Sequence, residues 1–221
     1  MTVDIAFRVQ AHPTRTLMAE TLAQEVGGQV CYDPEPDAPI KSPWRTLRHL
    51  LETRPQEATH VVSLQDDTTV CPGFRDAAHA AVEARSDRLI LFFVAGRPET
   101  HARAVWAACE RDEPWAELPA AHFLAQVAVA WPTVMIPSLL EFVDVQGWRP
   151  DFTADDEIVN RWARHVGVEP ISTVPNLVQH EDRSISLIGR RTMNGLDEGR
   201  TSCCYVGDCD ECDVAAIDWT R

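Results

Sequence analysis

The chain has 221 residues, a formal charge of −14, 45% hydrophobic residues and 24% charged residues. That balance belongs to an ordinary globular protein of one large domain or two small ones, and excludes bulk disorder and fibrous architectures. The acidic excess argues against an extended grip on nucleic acid through phosphates.

No run approaches the roughly 18 apolar residues of a membrane-spanning helix. The opening Met1-Thr2-Val3-Asp4-Ile5 lacks the basic start and apolar stretch of an export signal. Seven cysteines is an odd number, and Cys31, Cys71 and Cys109 are scattered. Reduced thiols in a cytoplasm, with no membrane partner, are therefore expected.

In chain order, Val3 to Val9 reads as a strand and Gln10 to Thr14 as a turn. Arg15 to Val26 carries Leu17, Met18, Leu22 and Val26 at helical spacing and stops at Gly27-Gly28. Gln29 to Tyr32 predicts a second strand, and the proline-rich, acidic Asp33 to Pro43 a loop. Trp44 to Thr53 predicts a helix, and His60 to Leu64 a third strand that ends at Gln65-Asp66-Asp67. A helix over Phe74 to Arg85, an apolar strand over Arg88 to Val94 and a helix over Glu99 to Arg111 follow. This alternation predicts an α/β protein with one mostly parallel, twisted sheet flanked by helices. Ligands of such sheets lie beyond the carboxyl ends of the strands.

After Asp112 the rhythm breaks. Val127 to Trp131 suits a strand, and Ser138 to Val145 a helix or a strand. Thr153 to Val166 predicts a helix, with Ile158, Val159, Trp162 and Val166 on one face. Ile171 to Val178 is extended and leads to His180. The expected division is a domain over residues 1–191, with halves near 1–112 and 113–191, and a cysteine-bearing tail over 192–221.

The sharpest chemical feature is the strand ending in Asp66-Asp67. Adjacent carboxylates at a sheet edge repel each other, and a hard divalent cation such as Mg²⁺ or Mn²⁺ relieves the repulsion and recruits phosphate oxygens. A solvated pair of turn acids is the plain alternative. Asp155-Asp156-Glu157 behind Thr153 reads either as a capped, dipole-compensating helix start or as the source of a general base. His180 is a packed side chain or, as a neutral imidazole, a metal ligand beside Asp67. Arg183, Arg190 and Arg191 are solvated or neutralise a diphosphate. Cys203, Cys204, Cys209 and Cys212 could wrap a structural Zn²⁺, or be thiols that oxidise to a disulfide. There is no GxGxxG, no Walker lysine and no GxSxG.

The order of the motifs resembles nucleotide-sugar glycosyltransferases of the type A fold, especially small phage and actinobacterial members. It carries His12-Pro13-Thr14-Arg15 after the first strand and Pro43-Trp44 further on. Ala58-Thr59-His60-Val61 leads to Gln65-Asp66-Asp67, Gly147-Trp148 precedes Asp155-Asp156-Glu157, and Val174-Pro175-Asn176-Leu177-Val178-Gln179-His180 closes the series. The resemblance spans about residues 3–191.

It implies a Rossmann-like nucleotide-binding sheet and a metal-dependent, inverting transfer from a UDP-sugar to an acceptor hydroxyl. It also implies a role for each matched residue. Asp67 and His180 would hold Mn²⁺ or Mg²⁺, and Asp66, with Gln65 beside it, would touch the ribose or a metal-bound water. Asp156 or Asp155 would be the base. Ala11, His12, Arg15 and Asp33 would hold the nucleoside, and Arg190 the diphosphate. Two other readings share these residues: a nucleotidyltransferase that releases pyrophosphate, and a non-catalytic module derived from a transferase, with Gln65 where a metal motif would carry an acid.

Overall fold

The computed structural model describes residues 2–96, 99–119, 124–147, 154–180, 201–208 and 213–221. Nine strands are found among them: β1 (Ile5–Ala11), β2 (Gln29–Tyr32), β3 (His60–Gln65), β4 (Thr68–Val70), β5 (Ile90–Leu91), β6 (Trp115–Glu117), β7 (Ala128–Pro132), β8 (Ile171–Thr173) and β9 (Val178–His180). The helices are α1 (Thr16–Val26), α2 (Pro43–Glu52), α3 (Phe74–Ala84), α4 (Glu99–Glu110), α5 (Ile136–Gln146) and α6 (Asp155–Val166). None is long and apolar enough to cross a membrane.

Seven strands form one sheet in the order β2-β1-β3-β7-β5-β8-β6, and β4 pairs with β9 in a separate ribbon. β1 lies parallel to β2 and β3, and β5 lies parallel to β8. β7 runs antiparallel to both β3 and β5, and β6 antiparallel to β8. The sheet is thus mixed and mostly parallel, as the alternating pattern predicts. β7 sits between β3 and β5, so strands from before and after residue 112 share one sheet.

Alternation along the strands divides the core between the two faces. Phe7, Val9, Val62, Leu64, Ala128 and Ala130 face α1 and α3, together with Ala19, Leu22, Phe74 and Ala78. Val61, Val129 and Trp131 face the other way, onto Trp44 and Leu47 of α2, Val105 of α4, Leu139 of α5 and Trp162 of α6. Helices α1, α5 and α6 end on Gly27, Gly147 and Gly167 with φ of 62°, 62° and 73°, the left-handed geometry glycine adopts without steric cost.

Several expectations need correction. The fourth predicted strand, Arg88 to Val94, shrinks to Ile90–Leu91. Beyond it, Phe92 N–H still donates to the Ala128 carbonyl (3.0 Å), but Val94 N–H donates to the side-chain Oδ1 of Asn176 (3.0 Å). The single extended segment over Ile171 to Val178 splits into β8 and β9, which join different sheets. Residues 138–145, open between helix and strand, are helical within α5. The Thr153 cap expected for α6 is replaced by Ala154 as the N-cap, with no side-chain capping bond, and Thr153 lies outside the described residues. Residues 68–70, for which the sequence pattern predicts no element, form β4.

The described parts of the last thirty residues pack on this core. Ser202 bridges to Ala95 and Tyr205 to Asn176, and Val206 and Trp219 are buried.

Candidate functional site

The carboxyl ends of β1, β2 and β3 lie side by side, because the three strands are parallel neighbours. Gln10 stands opposite Gln65 in register, and Ala11 opposite Tyr32. Each of these strands therefore delivers its next residues to one edge: His12 onward from β1, Asp33 from β2 and Asp66-Asp67 from β3. Short backbone bonds tie the edge together. Asp33 N–H donates to the carbonyl of Ala11 (2.9 Å), and Asp66 N–H to that of Gln10 (3.1 Å).

Asp66 and Asp67 are both buried. One guanidinium nitrogen of Arg15, Nη1, lies 2.8 Å from Asp66 Oδ1 and 2.9 Å from Asp67 Oδ2. The backbone N–H of His12 donates to Asp66 Oδ2 at 3.4 Å. Burial pushes Asp66 above the usual carboxylate range, with Arg15 pulling the other way. Burial also works against the Arg15 charge, but hydrogen bonds and attraction from Asp66 and Asp67 outweigh it, and its pKa is raised. The pair opens onto a cleft of about 280 Å³, bounded across from it by Leu17, Met18 and Thr21 of α1.

His180 reaches this pair through the small ribbon. β4 follows Asp67 directly, and antiparallel pairing sets Thr68 opposite His180. His180 Nε2 then lies 3.5 Å from Asp67 Oδ1, with both side chains nearly enclosed. Two residues far apart in sequence thus meet as a carboxylate oxygen and an imidazole nitrogen, a donor set that fits Mn²⁺ or Mg²⁺ in part. The described residues contain no cluster of three or more His, Cys, Asp or Glu side chains suited to a metal. Any cation here would draw its remaining ligands from outside the described side chains, and would share Asp66 and Asp67 with Arg15.

Asp155 belongs to the same edge. Gln10 Nε2 donates to Asp155 Oδ2 (3.4 Å) and to the carbonyl of Pro43 (2.9 Å), while the Gln10 carbonyl holds Asp66. Asp155 is buried, and burial together with the charge of Asp156 raises its carboxyl to about 7. Its Oδ1 accepts from Asp156 N–H (2.9 Å), and Asp156 Oδ1 accepts from Glu157 N–H (2.6 Å). The acids therefore satisfy N–H groups at the start of α6 while Asp155 also faces Gln10.

Asp33 is engaged elsewhere. Arg45 grips it with a two-pronged fork, Nε to Oδ1 and Nη2 to Oδ2, each at 2.7 Å. Those bonds and that charge hold Asp33 below its ordinary value in spite of burial. His12 contacts the same loop, its Nε2 lying 3.2 Å from the Pro36 carbonyl.

The structure thus gathers Ala11, His12, Arg15, Gln65, Asp66, Asp67 and Asp155 at one edge, and brings His180 to Asp67. Asp156 is beside Asp155 but more exposed. Arg183, Arg190, Arg191, Cys209, Cys212 and Trp148 lie outside the described residues. Of the four candidate zinc cysteines, Cys203 and Cys204 are described, and the Cys204 sulfur lies 3.0 Å from that of Cys109 on α4.

Arg45 escaped the sequence reading, while Gln10 was read only as the start of the turn after the first strand and Asn176 only within the closing motif, neither with a role of its own. Gln10 had a faint signal, as a polar residue closing an apolar strand. Arg45 had none, since its grip on Asp33 depends on where β2 delivers that carboxylate relative to α2. Comparison with protein-family models yields no match, and a search of curated proteins yields no significant relative.

Proposed function

We propose that this protein is a metal-dependent glycosyltransferase of the type A fold that moves a sugar from a UDP-sugar to an acceptor hydroxyl, with inversion. The observation that carries the reading is the meeting of Asp67 and His180 at the carboxyl edge of a mostly parallel sheet. Asp67 and His180 would hold Mn²⁺ or Mg²⁺, and such an ion supplies positive charge for the leaving diphosphate.

The rest of the reading concerns the chain's own groups. Arg15 holds both carboxylates in place and keeps a positive charge at the pair. Ala11, His12 and Asp33 frame the adjoining edge, where the nucleoside would bind, with Asp33 kept ionised by Arg45. Asp155 takes the proton of the acceptor hydroxyl, its raised pKa matching proton exchange near neutral pH. Asp156, the more exposed neighbour, is the alternative base.

Release of UDP from UDP-sugars in the presence of Mn²⁺ tests this. It is expected in the intact protein and at least a hundredfold weaker in Asp67→Ala, since an electrostatic contributor of this kind is worth about 10²–10³ in rate. If no nucleotide sugar raises the melting temperature with Mn²⁺ present, the reading fails. Release of pyrophosphate instead would identify a nucleotidyltransferase.

One observation favours a second reading. Arg15 already offsets part of the charge of Asp66 and Asp67, so the edge has an internal cation. A non-catalytic binding module would use it as it stands. Nucleotide-sugar binding without Mn²⁺ and without turnover would identify that case.

A further inference from the structure

The C-terminal segment and α4 bring two thiols together. Cys109 lies in the last turn of α4, and its sulfur is 3.0 Å from that of Cys204, 95 residues later. A disulfide needs about 2.05 Å between sulfurs, so a closure of about 1 Å separates contact from bond.

Both backbones are held. Val105 and Ala108 anchor α4 in the core. On the other side, Cys203 N–H donates to the Val94 carbonyl (2.9 Å), and the Cys204 carbonyl accepts from Asn176 N–H (2.8 Å). Trp106, one turn before Cys109, adds an indole N–H bond to the Cys203 carbonyl (3.1 Å). The thiols therefore meet through fixed secondary contacts rather than by chance of a loose tail.

Orientation favours one pairing. Cys109 is exposed and Cys204 half-exposed, so a small oxidant reaches them. Cys203 turns toward Asn176, its sulfur 3.8 Å from Oδ1, and burial pushes its thiol up to about 12. It stays protonated and is a poor exchange partner.

We propose that Cys109 and Cys204 are a redox site that closes to an intramolecular disulfide, fastening the C-terminal segment to α4. The reaction is exchange with a small-molecule disulfide. The Cys109 thiolate attacks that disulfide and expels one thiolate. The Cys204 thiolate then attacks the Cys109 sulfur of the mixed disulfide and expels the second. The protein loses two electrons and two protons, and the disulfide reagent is reduced to two thiols.

The closed form braces the ribbon behind the candidate site. Ser202 N–H donates to the side chain of Gln179 (2.6 Å), the neighbour of His180 in β9. The bond spans 95 residues, a loop long enough for a substantial effect on the unfolded chain.

The full chain, folded and reduced, is exposed to oxidised glutathione and mapped without reduction by peptide mass spectrometry. The expected product is one intramolecular link between the Cys109 peptide and Cys204. It should persist in Cys203→Ser, vanish in Cys204→Ser, and raise the melting temperature by roughly 5 °C or more. Fragmentation between Cys203 and Cys204 assigns the link in the unmodified sequence, so the result does not depend on a variant folding. Stable glutathione adducts without a link, a link to Cys203, Cys209 or Cys212, or a link between molecules would overturn the proposal. None of these outcomes depends on sugar transfer.

Discussion

Arg15 and Asp155 set the electrostatics of the candidate site. Arg15 offers one nitrogen to two carboxylates, and a divalent cation would compete for the same oxygens. Arg15→Gln is therefore expected to tighten Mn²⁺ binding roughly tenfold or more in calorimetry, a change of about 1.4 kcal/mol or greater. Unchanged affinity would show that the pair is not where the ion binds. Asp155 has a raised pKa, so its contribution to stability is fully present below its ordinary value of 3.8. That contribution falls as pH rises toward about 7, because the folded state holds the proton that the unfolded chain has lost. Its size is on the order of 4 kcal/mol at most, from about 1.4 kcal/mol per pKa unit. Asp155→Asn should flatten this part of the pH dependence, as read from urea midpoints between about pH 4.5 and 8. A variant with the wild-type slope would refute the assignment.

Among the elements, α2 and the β4–β9 ribbon position what the strand ends alone would not. Ser42 caps α2, its hydroxyl accepting the Arg45 N–H at 3.1 Å, and Pro43 opens the helix. The cap thus sets the backbone of the residue whose side chain grips Asp33. Ser42→Ala should cost about 1 kcal/mol, measured by urea denaturation, as for other lost N-caps. A loss below a few tenths would mean that Pro43 and packing suffice to start the helix. The long helices were legible because each buries a stripe at 3.6-residue spacing: Leu47, Leu50 and Leu51 in α2, and Ile158, Val159 and Trp162 in α6. The ribbon was not legible. Its strands have three residues each, too few for a pattern, and each exists because the other is opposite it.

Across the whole molecule, the final residues complete the core. Trp219 is buried, its ring 5.3 Å from that of Trp115, and its carbonyl accepts the Trp115 indole N–H at 3.0 Å. Arg85 stacks over the Trp115 ring at 5.4 Å and bonds the Arg221 carbonyl. Trp219→Ala should destabilise the fold by about 3–5 kcal/mol in chemical denaturation, the range for truncating a buried aromatic. A cost under 1 kcal/mol would show that the end of the chain is dispensable.

The order of the longer strands and helices, the mostly parallel sheet and the Asp66-Asp67 edge follow from local patterns: alternation within strands, helical spacing, and glycine or proline at the breaks. These signals reside in neighbouring residues, so the linear order of amino acids suffices to carry them. The approach of His180 to Asp67, the Gln10 link to Asp155, the grip of Arg45 on Asp33 and the contact of Cys109 with Cys204 do not. Each joins residues from separate elements, and their meeting depends on strand register and on how the helices pack against the sheet.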